Sequence, residues 1–208
     1  MKTPLLDLHY LPSLEYFSCI LKYDQILIER EEHFIKQTYR NRCHILGANG
    51  VERLSIPVTG GNKKIKVKDI KIDYKQKWLN VHWRAIMSAY GRAPFYEFFA
   101  DYLEGEFQKR EKYLFDFNYR LLTTCLKLLQ INPDIIFTEK FDNHPESHII
   151  DLRSVIHPKK SYTQNPFYRP LPYQQVFGKG FVANLSILDL LFCEGPNAAS
   201  RLRESVNI

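Results

Sequence analysis

Apolar and polar positions along this chain recur with two periods, and the change comes near residue 75. Before it, short runs dominate. Leu5, Leu6 and Leu8 predict a buried strand that ends near His9-Tyr10, and Ile26-Leu27-Ile28 predicts a second. The stretch from Phe34 to Val58 reads as a hairpin. Its two β-like arms flank Gly47-Ala48-Asn49-Gly50, residues that tolerate positive φ. Along the first arm Arg40, Arg42, His44 and Leu46 share one face, while Asn41, Cys43 and Ile45 share the other. Ile65 to Ile72 predicts a further strand, with Lys63, Lys64, Lys66, Lys68 and Lys71 as a solvated basic edge.

After residue 75 the period becomes helical. Trp78, Leu79, His82, Trp83, Ile86, Met87 and Tyr90 form one stripe, closed by Gly91. Pro94 opens a second helix, with Phe95, Phe98, Phe99, Tyr102 and Leu103 on one side. Leu121, Leu122, Cys125, Leu126 and Leu129 mark a third, which ends at Asn132-Pro133. Ile135-Ile136-Phe137 reads as a short strand. Two further helices frame this set. Ser13, after Leu11-Pro12, is placed to cap Leu14 to Tyr23, and Asn184 or Ser186 caps a last helix, with Ser186-x-x-Asp189 as a capping box and Gly195-Pro196 as the stop. From Asp142 to Lys179 the pattern is irregular and rich in Pro, with Tyr162, Phe167, Tyr168, Tyr173 and Phe177. Such a segment either carries function or folds over the core. The sum is a single compact α/β domain over residues 1–208. Strands lie mainly in the first 75 residues and near 135–138, and helices mainly in 78–130 and 185–203.

The apolar share of 45% supports a sizeable core, and the formal charge of +6 directs attention to anionic ligands. Basic blocks are short, which favours an anionic small-molecule substrate over nucleic acid. Cys19, Cys43, Cys125 and Cys193 are far apart and sit among apolar neighbours. They read as reduced, buried thiols of a cytoplasmic protein. Asp7 and His9 interrupt the first apolar run, so no signal peptide is expected, and no run approaches a membrane-spanning length.

The candidate chemistry begins where the first strand meets the first helix. His9, Tyr10 and Ser13 stand there. Ligands of open α/β sheets bind at the carboxyl ends of strands, and His9 is a candidate general base. Lys36, Asn41 and Arg42 supply donors for a carboxylate, phosphate or sugar. His82 is a second catalytic candidate on an otherwise apolar helical face, with Tyr90 and Asn118 as further binding candidates. Arg42, Asn41 and Lys36 are expected to share one cleft with His9. No metal motif, GxGxxG, GxxxxGK[ST] or GxSxG is present, and nothing specifies a cofactor or an oligomeric state.

The chain resembles the WbqC-like protein family. His9-Tyr10-Leu11-Pro12 with Glu15-Tyr16-Phe17, the run Lys36 to Arg42, and Leu54-Ser55-Ile56-Pro57-Val58 carry the resemblance early. Trp78, Tyr90 with Ala93-Pro94-Phe95, Asp116, Asn118, Tyr173-Gln174, Leu185 to Phe192 and Gly195 continue it in order. Two features differ from the usual pattern. Leu8-His9 stands where the family often has Gln-Pro, and residues 139–172 replace a glycine-bearing segment. Family members are associated with gene clusters for surface polysaccharides, including O-antigen sugars. The resemblance therefore implies transferase-like chemistry on an activated or amino sugar, with acyl or aminoacyl transfer favoured. The alternatives are an ATP-using nucleotidyl-transfer-like enzyme and a non-catalytic binding protein for an acidic partner.

Overall fold

The computed structural model describes residues 2–207. Its centre is a four-stranded sheet in which β1 (Thr3–Asp7) pairs in parallel with β2 (Gln25–Glu29) and with β8 (Ile149–Asp151). β2 pairs in turn with β7 (Asp134–Phe137), so the order across the sheet is β7-β2-β1-β8. The chain moves outward from β1 through α1 (Leu14–Leu21) to β2, and later to β7. It then doubles back to β8 on the far side of β1, so the strand order reverses between β1 and β8.

That reversal decides which face each connection covers. Parallel crossovers are right-handed, so outward and returning connections lie on opposite faces. On the outward face Leu6, Ile26 and Ile28 are buried, and Phe137 meets Phe115 and Tyr119 of α4 (Leu114–Leu128) at 5.7 and 5.0 Å. On the other face lie Leu5, Leu27 and Ile136, which share a register line. No helix separates β7 from β8; the irregular segment 138–148 makes the return.

The remaining elements assemble beside this sheet. A hairpin of β3 (Arg42–Gly47) and β4 (Gly50–Ser55) turns at Ala48-Asn49, with Gly50 at φ 106° as the turn requires. A short antiparallel pair joins β5 (Val58–Thr59) to β6 (Lys71–Ile72). The helical layer continues with α2 (Trp78–Tyr90), α3 (Tyr96–Gln108), α5 (Ile187–Glu194) and α6 (Ala198–Ser205). Among the described residues no helix is long and apolar enough to cross a membrane.

The α/β class and the distribution of elements match the sequence expectation, with local corrections. Residues 34–41 are not a strand. Thr38 Oγ1 donates to the Ile35 carbonyl and accepts from the Arg40 amide, and Gln37 takes φ 63°, so the chain turns and sends Arg40 inward. Ile65 to Ile72 is a 3-10 turn at Val67–Asp69 followed by the two residues of β6, because Lys66 and Lys68 fold onto Glu31 instead of lining an edge. The supposed irregular span after Asp142 contains β8. Within it Phe167, Tyr168 and Tyr173 are buried against the core. Asn118 lies inside α4, buried. Ser186 caps α5 through Leu188 N–H, but Asp189 turns away to accept from Tyr173 and Gln175.

Candidate functional site at the reversal of strand order

β1 ends at Asp7, and the two residues after it bring His9 to the carboxyl end of the sheet beside the point of reversal. The Asp7 carboxylate is almost fully enclosed and meets three groups, and a fourth holds its backbone carbonyl. His9 Nε2 donates to Oδ2 at 3.0 Å, and the Ser154 amide donates to Oδ1 at 2.8 Å. Arg40 Nη1 lies 2.9 Å from Oδ2, and the Tyr16 hydroxyl donates to the Asp7 carbonyl at 3.1 Å. Arg40 Nη1 makes no directed hydrogen bond, so its approach to Asp7 is charge attraction. Arg40 also forks onto Glu32, with Nε and Nη2 donating at 2.7 and 2.8 Å, and Nη2 reaches Ser154 Oγ at 3.1 Å. The Asn118 amide holds the Arg40 carbonyl at 2.7 Å.

Burial alone would raise the Asp7 carboxyl. The charges of Arg40 and His9, with hydrogen bonds from His9 and the Ser154 amide, overcome burial and hold it well below the usual carboxylate range. An ionised Asp7 fixes the His9 tautomer. Nε2 faces the carboxylate, so in the neutral imidazole the proton sits there and Nδ1 is the acceptor; Nδ1 is fully enclosed and without a partner. The imidazole lies between Tyr16 and Tyr39, with ring centroids at 4.5 and 5.4 Å, and Tyr39 in turn meets His44 edge-on at 5.6 Å. Glu15 stands nearby, held by Asn165 and Asn184 at 2.6 and 3.0 Å. Burial raises its carboxyl, although both amides oppose the shift.

The far bank of the reversal comes from the residues after β8. Arg153 is a clamp. Nε and Nη2 grip the two oxygens of Asp151 at 2.9 and 2.7 Å, while Nη1 reaches Glu29 Oε2 at 2.9 Å. Ser154 takes φ 57°, a left-handed conformation that costs a non-glycine residue about 1 kcal/mol or more. That geometry aims its amide at Asp7. His157, Lys159 and Lys160 follow as a basic rim, with Lys160 Nζ donating to the Ser154 carbonyl at 3.1 Å. Burial and the Lys160 charge hold the His157 imidazole below its ordinary range.

Comparison with known proteins bears on this geometry. The model of the WbqC-like protein family matches residues 8–167 and 161–201. The chain belongs to that family. It is also similar to an uncharacterized protein, Rv1507c, of Mycobacterium tuberculosis (strain ATCC 25618 / H37Rv), at 26% identity over 232 residues, covering 97% of each chain. No solved structure matches it.

This WbqC-like chain distributes the residues singled out from sequence among several places. His9 is at the reversal. His82 is not in contact with it. His82 Nδ1 instead meets the Tyr10 hydroxyl at 2.9 Å within a cluster of Trp78 and Phe117, and burial lowers its pKa to about 4. Ser13 is buried in the turn beyond, with an unpaired hydroxyl. Asn41 donates to the Ile56 carbonyl, and exposed Lys36 bonds Asn62. Arg42 is half-buried on the hairpin, where burial and the neighbouring Arg53 lower its pKa. Tyr90 accepts from the Leu46 amide at 3.3 Å. The expected single cleft for Lys36, Asn41, Arg42 and His9 is therefore absent. The guanidinium that reaches His9's partner belongs to Arg40. Sequence reasoning set Arg40 on the polar face of the supposed strand without choosing it for the site, and gave no site role to Asp7, Glu32, Arg153, Ser154 or His157. The one local signal was an acid closing each apolar strand, Asp7 after Leu5-Leu6 and Glu29 after Ile26-Leu27-Ile28.

Proposed function

We propose that this chain is a transferase acting on an activated or amino sugar in surface-polysaccharide biosynthesis, with acyl or aminoacyl transfer as its reaction. The observation that supports this reading is His9 Nδ1, an enclosed acceptor without a partner on an imidazole whose other nitrogen is fixed by an ionised carboxylate. His9 is wholly buried with Tyr16 and Tyr39 beside its ring, so substrate reaches this nitrogen only when that wall moves aside; Nδ1 then takes the proton from a sugar amine or hydroxyl as that group attacks the donor's carbonyl carbon. Asp7 stabilises the imidazolium that forms, and the proton then leaves Nδ1 for the departing group. Arg40 keeps Asp7 ionised throughout. The rim of Lys159 and Lys160 suits the phosphate of a nucleotide sugar or of a carrier-bound acyl donor. The association of the family with polysaccharide gene clusters supports the same setting.

Ligand-induced thermal shift tests the reading, using a panel of nucleotide-diphosphate sugars and acyl-coenzyme A, alone and in pairs. A nucleotide sugar or acyl donor is expected to raise Tm, because a ligand bound only by the folded state stabilises it. Lys159→Ala with Lys160→Ala should reduce that shift. His9→Gln should keep the shift and lose turnover by roughly a hundredfold or more. A larger rise with ATP and magnesium than with any sugar donor would replace transfer to sugars by nucleotidyl transfer. No response to the panel, together with steeply salt-dependent binding of an acidic macromolecule, would replace it by a binding role.

A further inference from the structure

The face of the sheet opposite the helical layer holds a cavity of about 480 Å³, and the proposed transfer chemistry makes no use of it. Leu5, Leu27 and Ile149 form its floor, Pro145 contributes apolar wall, and the segment from Thr138 to Glu146 roofs it. Parallel sheets are normally covered on both faces. Here the return to β8 is made by loop rather than helix, and a loop cannot fill the space that a helix would occupy. Ile136, on the same register line as Leu5 and Leu27, is 42% exposed. The volume falls within the range of small-molecule pockets.

The rim has a definite sign. Glu139, Asp142 and Glu146 stand on it against Lys140, and His148 Nδ1 lies 3.4 Å from Glu146 Oε2. Glu29 at the back is already matched by Arg153. A chain of net charge +6 has thus gathered an excess of carboxylates at one apolar opening. Glu139 has no ion-pair or hydrogen-bond partner among the described residues. The roof is not loose. Arg153 Nη2 donates to the Asp142 carbonyl at 2.7 Å, and its guanidinium lies 4.7 Å from the centroid of the Phe141 ring. The cavity is therefore held open by a fixed strut rather than by a segment free to collapse into it.

We propose that this cavity binds a small amphipathic cation, a short apolar body ending in a primary amine. The body lies on Leu5, Leu27 and Ile149, and the ammonium meets Glu139 and Glu146 at the mouth. This assignment rests on the cavity and its charge alone and is independent of the reading of His9.

Isothermal titration with hexylamine, hexanoate and hexanol on the intact protein separates the contributions. Hexylamine binds, and its affinity falls as salt is raised from 50 to 500 mM in the experiment, because exposed charges are screened. Hexanoate does not bind, and hexanol binds more weakly than the amine. Glu139→Gln with Glu146→Gln, both exposed and so compatible with folding, lowers hexylamine affinity roughly fivefold. Leu27→Gln weakens all apolar probes, with circular dichroism confirming the fold. Equal binding of hexanoate and hexylamine, an unchanged affinity in the double variant, or no heat from any probe would overturn the proposal. None of these results bears on His9 turnover, so the two readings fail separately.

Discussion

At the residue scale, Asp7 and His82 carry the clearest consequences of burial. Asp7 has Arg40 and His9 against it in a site closed to water. Asp7→Asn leaves Arg40 with Glu32 alone and should destabilise the fold by about 3–5 kcal/mol, the cost of stripping one partner from a buried pair. Urea denaturation at pH 7 measures it. Because the folded Asp7 carboxyl is held low, its contribution is complete above the ordinary carboxylate value of 3.8 and disappears as pH falls below it. His82 acts in a higher window. Its pKa drops from 6.5 to about 4 on folding, so the unfolded chain binds the extra proton between those values. Stability is full above pH 6.5 and declines toward pH 4 by roughly 3 kcal/mol. His82→Gln should flatten that decline, and urea midpoints taken at half-unit steps of pH would show it. An unchanged slope would mean that His82 is not the group responsible.

At the element scale, the end of α5 shows how a local signal acquires a tertiary reason. Gly195 takes φ 54°, where a side chain is strained, and a Cβ there would overlap the Phe95 ring. Gly195→Ala therefore combines backbone strain with overpacking, for a predicted loss of about 3 kcal/mol in thermal or chemical unfolding. At the other end Ser186 accepts from the Leu188 amide and donates to the Leu11 carbonyl at 3.0 Å, tying α5 to the turn after β1. Ser186→Ala should cost about 1–2 kcal/mol and increase amide exchange in that turn as well as in the helix. Exchange confined to α5 would show that the tie contributes nothing.

For the whole molecule, the shared core makes its thiols a sensitive report of integrity. All four cysteines are buried, and burial pushes Cys19, Cys125 and Cys193 up to about 12, with Cys43 also raised. Native protein at pH 8 should react with an aromatic disulfide reagent only over hours, and unfolded protein should release four thiols per chain at once. A rapidly labelled thiol in the native state would contradict the packing of that region. On the same scale, the one-sided helical cover of the sheet follows from the return to β8, and that return also creates both the site and the cavity behind it.

By itself the sequence determined whatever depends on neighbours a few residues apart. The helices, the Ala48-Asn49 turn, the Ser186 cap and the stop at Gly195 were legible because capping, φ preference and periodicity are short-range properties, although Met87, Phe98 and Tyr102 of the expected stripes lie on the surface. β8 escaped notice because three residues, Ile149–Asp151, give too short a run for alternation to register. Residues 34–41 misled because polar side chains every second position mimic a strand, whereas Thr38 satisfies the backbone by a turn. Only the tertiary structure decided that Asp7 meets Arg40, His9 and the amide of Ser154, 147 positions away. The identity of a charge is written in the chain. Its partner, and so its ionisation, depends on which strand ends the fold brings together and how completely it excludes water around them.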